Sequence, residues 1–223
     1  MATVLRALRA FGSDFAMPTN YNAIAGTELG RVCALSDGIF AIAMTLLVLD
    51  IHAPEAADIH SEGELAAALM RLAPTAATWL MSLMTLGIFW LGQQTQLSRL
   101  TAMNRNLAWL YFLFLAVITA LPFSTRLLGS FFDYRIAFLI YYANILLAGV
   151  SLYIAWRYAE RAELTDEKPP SERAEAIRRR IVRAQGFYAI GAMAGLVSPP
   201  LGVALIILIQ INYAAAPRWT NWS

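Results

Sequence analysis

Three residues at the head of one apolar run have the types to do chemistry inside a membrane. They are Arg31, Ser36 and Asp37, in the stretch RVCALSDGIFAIAMTLLVLDI that covers residues 31–51. A carboxylate near the mouth of a membrane helix is costly unless it finds a partner or water, so Asp37 reads as a functional position. It has the chemistry of a proton or cation coupling site, or of a polar tie to a neighbouring helix, while Arg31 would pair with an anion. The two are six residues apart, neither i+3 nor i+4, so on one straight helix they do not face each other and each needs a partner elsewhere. The plainer alternative, that Ser36 or Asp37 caps the helix while Arg31 snorkels, stays open on the residues alone.

Beyond Asp37 the apolar residues Ile39, Ile42, Leu46 and Leu49 recur at the spacing of one helix face, with Thr45 the single hydroxyl beside them. Such stripes usually face lipid or other helices, and a threonine there usually bonds to its own helix backbone. A polar entrance followed by an apolar stripe is nevertheless the pattern expected of a helix lining a narrow, gated pore. His52 and His60, with Asp50, Glu55 and Asp58, have metal-binding types. Their spacing matches no familiar site, and a solvated acidic loop is the better reading, so no metal and no cofactor is expected. The single cysteine, Cys33, excludes an intramolecular disulfide framework and reads as a small apolar helix residue. No GxSxG, P-loop or TVGYG occurs. The chain is therefore expected not to be an enzyme, not to drive transport with ATP, and not to hold a carbonyl filter of the usual potassium-channel kind.

The elements that must position these residues follow from composition. Hydrophobic residues make up 59% and charged residues 14% of 223 residues, against roughly 25% charged in soluble domains. The expectation is an all-α integral membrane protein, and a net charge of +2 is too small to suggest nucleic acid. At about 20 apolar residues per crossing, six spans are predicted: 31–51, 65–97 with a kink at Pro74, 107–123, 136–156, 181–197 and 201–215. Ser198, Pro199 and Pro200 break the last two apart. Loops two and four hold nearly all the Lys and Arg outside the termini, which by the positive-inside rule puts both termini in the cytoplasm of a multi-pass cell-membrane protein. The domain organisation read from this is a cytoplasmic segment at 1–30, a six-helix membrane domain at 31–215 with a cytoplasmic loop at 157–180, and a cytoplasmic tail at 216–223. Residues 3–12 read either as a short basic amphipathic helix or as a disordered tail, and not as a signal peptide. Arg178, Arg179 and Arg180 read as a topology anchor at the headgroups. Gly191 and Gly195 form a GxxxG packing signal. No internal repeat is visible.

The stretch 31–51 resembles the first membrane helix of the transmembrane protein 175 family, whose signature is Arg, three residues, then Phe-Ser-Asp. The likeness continues through GIFWLGQQ (87–94) and NLAWLYFLFLAVITALPFSTRLLG (106–129), covering roughly residues 31–160. Leu35 stands where the family has Phe, and Gln93 and Gln94 stand where many relatives carry histidines. The resemblance implies a potassium-permeable channel, a homotetramer whose central pore is lined by the first helix of each subunit. It implies a narrow apolar gate at Ile42 with further layers at Leu46 and Leu49, a potassium preference associated with Thr45, and Arg31, Ser36 and Asp37 tying the helix to its neighbours. The partners implied are potassium ions, further copies of the chain and membrane lipid.

Two other readings compete. An ion-coupled secondary transporter would use Asp37 as its coupling site, although transporters usually show repeated halves and broken midplane helices. A non-conducting scaffold would dock partners on the basic segment 157–183. On the residues alone transporter and channel stand level; the resemblance favours the channel.

Overall fold

The computed structural model describes residues 26–166 and 172–215. The expected segment 1–30 and tail 216–223 therefore lie almost wholly outside the described residues. The described chain is helical: α1 Leu29–Val48, a 3-10 turn at Ala56–Asp58, α2 Glu62–Arg71, α3 Ala73–Leu97, α4 Arg105–Thr119, α5 Leu121–Ser130, α6 Arg135–Arg161, α7 Glu172–Val197 and α8 Pro199–Ala215.

Local chemistry sets several of these boundaries. Ser61 caps α2 by accepting from the Glu64 backbone N–H at 3.2 Å, and the Glu64 carboxylate reaches back to the His60 N–H, the reciprocal logic of a capping box. Asn104 caps α4 by accepting from Leu107 N–H at 2.9 Å. Proline explains two interruptions. The expected single span over 65–97 is divided at Leu72, because Pro74 just beyond has no N–H to continue the ladder. The expected span 107–123 likewise does not end at Pro122. It is interrupted at Ala120 and continues as α5 to Ser130, so that Arg105–Ser130 is one crossing of 26 residues. The polar segment expected as a loop at 157–180 is mostly helix, with α6 running on to Arg161 and α7 beginning at Glu172.

Among the described residues, four stretches are long and apolar enough to cross a bilayer: Leu29–Val48, Ala73–Leu97, Arg105–Ser130 and Arg135–Arg161. In α7 the first half is charged and only the second half is apolar, and α8 has 17 residues. The long α6 sits at the centre, packed by α4, α5 and α7, while α1 lies against α3, α4 and α5. Rings from three helices meet where Phe114 of α4 touches Phe40 of α1 and Phe89 of α3, each pair 6.1 Å apart between centroids.

Small residues close the far side. A Cβ on Gly195 would sit 2.0 Å from the Phe138 ring, and one on Gly202 would sit 2.6 Å from the Gly195 backbone. Both members of the GxxxG signal are buried, and Gly191 makes room for Ile206 in the same way.

The loops sort to two ends. Thr101 N–H donates to Leu164 O and Asp166 N–H to Arg99 O, both at 2.9 Å, so the α3–α4 and α6–α7 connections pair at one end. At the other, Arg126 of α5 lies 3.6 Å from Asp50, just past the end of α1.

Candidate functional site

The site is a helix with two unlike faces. Ser36, Phe40, Ala43 and Leu47 are the buried residues of α1 and recur every three to four positions. The opposite face stays uncovered within the subunit: Leu35 is 48% exposed, Ile42 61%, Leu46 44% and Leu49 65%. Ile39, expected on this stripe, instead packs partly into the core, so the exposed seam runs through Leu35, Ile42, Leu46 and Leu49. Leu49 occupies the C-cap position, one residue beyond the last helical turn. Thr45 lies on the exposed side and its hydroxyl donates to Ile42 O at 2.9 Å, which turns its lone pairs away from the helix backbone.

A polar anchor holds this helix against α3. Asp37 Oδ1 accepts from Trp90 Nε1 at 2.9 Å and from Gln94 Nε2 at 2.6 Å. Next to it, the Ser36 hydroxyl donates to Val32 O at 2.8 Å and accepts from Gln93 Nε2 at 3.0 Å. Because α1 begins at Leu29, Ser36 and Asp37 lie two turns inside the helix, and neither is its cap. The structure brings Ser36 and Asp37 together with three side chains of α3 but leaves Arg31 apart: it is exposed, with no partner among the described residues.

From the sequence alone, Gln93 and Gln94 stand out as departures from the family pattern, and Trp90 is given no role at Asp37. The signal that could have found their role is the spacing Trp90, Gln93, Gln94, which puts one indole N–H and two amides on a single helix face. At the far end of α1, His52 Nδ1 lies 3.1 Å from Asp50 O. Among the described residues no three His, Cys, Asp or Glu side chains converge as a metal site would require.

A second polar cluster, buried in the subunit, was not foreseen. Thr125 donates to Ser82 at 2.7 Å, Ser82 and Thr85 both meet the Tyr141 hydroxyl at 3.1 Å, and Gln210 donates to Thr85 at 2.7 Å. These contacts stitch α3, α5, α6 and α8 together.

Comparison with known proteins places the chain. The family model described as endosomal/lysosomal potassium channel TMEM175 matches residues 31–122, which hold nearly all of α1, its anchor and all of α4. A Streptomyces collinus protein named a potassium channel is 32% identical over 191 residues, covering 83% of this chain and 91% of its own. The chain belongs to the TMEM175 family. A second TMEM175-like relative, from Chamaesiphon minutus and also named a potassium channel, is 28% identical over 192 residues, covering 84% of this chain and 94% of its own. The crystal structure of a lysosomal potassium-selective channel TMEM175 homolog from Chamaesiphon minutus superposes with a TM-score of 0.73 at 25% identity, over 85% of this chain and 98% of that one. The TMEM175 family is one of channels and not of enzymes, and this member is a multi-pass membrane protein.

Proposed function

We propose that the protein is a potassium-permeable cation channel, a homotetramer in which α1 of each subunit lines one central pore. The observation that carries this reading is the seam of Leu35, Ile42, Leu46 and Leu49, exposed on a helix whose other face is locked into its own subunit. The names of the relatives from Streptomyces collinus and Chamaesiphon minutus support potassium as the permeant ion.

Four copies of Ile42 on one axis pinch the pore until water leaves, which stops ions without a charged gate. Leu46 and Leu49 add further apolar rings. Closed rotational symmetry lets one helix per subunit enclose what a monomer cannot. Thr45 supplies hydroxyl dipoles one turn from the constriction, which favour the more weakly hydrated potassium over sodium. No full shell of oxygens replaces the ion's water, so the preference is modest. Ser36 and Asp37 set the rotation of α1 about its own axis through α3, and Arg31 reaches a neighbouring subunit. The membrane domain spans 31–215 with six crossings, α7 and α8 forming the last two. Both termini and the 157–180 segment face the cytoplasm.

The test is planar-bilayer recording of the purified, reconstituted protein with potassium on one side and sodium on the other. Discrete steps with a potassium-leaning reversal potential are expected. Proteoliposomes that accumulate substrate against a gradient without any steps, and lose this on Asp37→Asn, would replace the channel by an ion-coupled transporter.

A further inference from the structure

A cleft opens between α3, α6, α7 and α8, well away from α1. It is lined by Phe89 and Gly92 of α3, Leu152 of α6, and Ile177, Ile181 and Tyr188 of α7, so its walls are largely apolar. It exists because α3 packs against α6 and α8 but makes little contact with α7. One cation stands at its rim. Arg180 is half-buried, donates through Nε to the Tyr213 hydroxyl, and lies 5.1 Å from the centroid of that ring. The neighbouring arginines are paired with acids, Arg178 with Glu160 at 2.9 Å and Arg179 with Glu175. Arg180 has no carboxylate partner among the described residues. Its terminal N–H groups, held against an aromatic ring where α7 passes from charged to apolar residues, meet no anion among the described residues.

Depth and polarity fit one kind of occupant. From Arg180 to Tyr188 the cleft follows α7 for eight residues, about 12 Å along the helix axis, with the charged group at the end where α7 turns polar. Gln185 lies between them, reaching over Gly149, and its Oε1 is buried without a hydrogen-bond partner. We propose that the cleft is a binding site for an anionic phospholipid of the bilayer: Arg180 receives the phosphate and the apolar walls take one acyl chain. Basic rims over apolar gaps between membrane helices are suited to such headgroups. The site requires only that the chain lie in a bilayer, and stands or falls separately from conduction.

Native mass spectrometry of the full-length purified protein tests this. Phosphatidylglycerol and phosphatidylcholine with identical acyl chains are added in turn, and bound lipid is counted. The wild-type protein is expected to hold phosphatidylglycerol about fivefold more tightly. Arg180→Gln is expected to remove the difference, Arg180→Lys to keep most of it, and Arg183→Gln, an exposed arginine one turn away, to leave it intact. Glycerol 3-phosphate, which lacks acyl chains, is expected not to compete. Equal binding of the two lipids by the wild-type protein would overturn the proposal, as would a cleft filled by a second copy of the chain that excludes both. Full competition by glycerol 3-phosphate would overturn it in favour of a soluble phosphate site. The wild-type comparison decides the matter even if Arg180→Gln fails to fold.

Discussion

Ile42 carries the gate argument as a single side chain. It is large, aliphatic and exposed on a helix whose buried partners Phe40 and Ala43 flank it. A polar ring at that level would hold water, so Ile42→Asn is expected to raise resting conductance several-fold in bilayer recordings; unchanged current would remove Ile42 from the constriction. Thr45 is argued differently. Its hydroxyl spends its proton on Ile42 O, leaving only acceptor capacity for a passing cation. Thr45→Ala is expected to move the potassium–sodium reversal potential towards zero with little change in stability. A reversal potential that stays put would show that selectivity arises elsewhere.

At the scale of the element, rotation of α1 is what the anchor decides. Trp90, Gln93 and Gln94 grip Ser36 and Asp37 on one side, and the Phe40, Phe89 and Phe114 rings wedge the helix about one turn further along. A helix free to turn by a quarter would exchange Ile42 for Ala41 or Ala43 on its outer face. The opposite edge of the bundle relies on the absence of side chains. Gly195 lets Phe138 and the α8 backbone approach, so Gly195→Ala is expected to cost about 1–3 kcal/mol by overpacking, read as a lowered unfolding temperature in detergent. Single-channel amplitude should be unaffected, because α7 and α8 lie away from α1. An unchanged unfolding temperature would mean that the close approach of α7, α8 and α6 contributes nothing to stability.

At the scale of the whole molecule, the proposed assembly rests on the exposed apolar stripe of α1, which nothing among the described residues covers. A homotetramer built around that stripe, as proposed, would bring equivalent residues together on one axis. In a Cys33→Ser background, Leu46→Cys is expected to cross-link into dimers under mild oxidation, seen on a non-reducing gel. Leu113→Cys, equally exposed but on α4, serves as the comparison. Cross-linking no greater at position 46 than at 113 would take α1 off the symmetry axis.

Composition and hydropathy were enough to read an all-helical membrane chain, and the motif RVCALSD was enough to pick its first helix, because apolar length and a charged residue inside it are properties of consecutive residues. The same local logic anticipated the interruption at Pro74 and failed at Pro122, where the span was expected to end. Both prolines remove one backbone donor, and neighbouring packing, invisible in a string, decided that the helix resumes beyond Pro122 as α5. It failed again at the anchor: Asp37 and Gln94 are 57 positions apart, and nothing local announces that an indole and two amides of α3 converge on Ser36 and Asp37. Ile39 and Ile42 have the same chemistry and both fit the periodic stripe. Only the packing of α1 against α3, α4 and α5 turned one towards the core and left the other outside, since burial depends on which neighbours a face meets and not on the residue that occupies it.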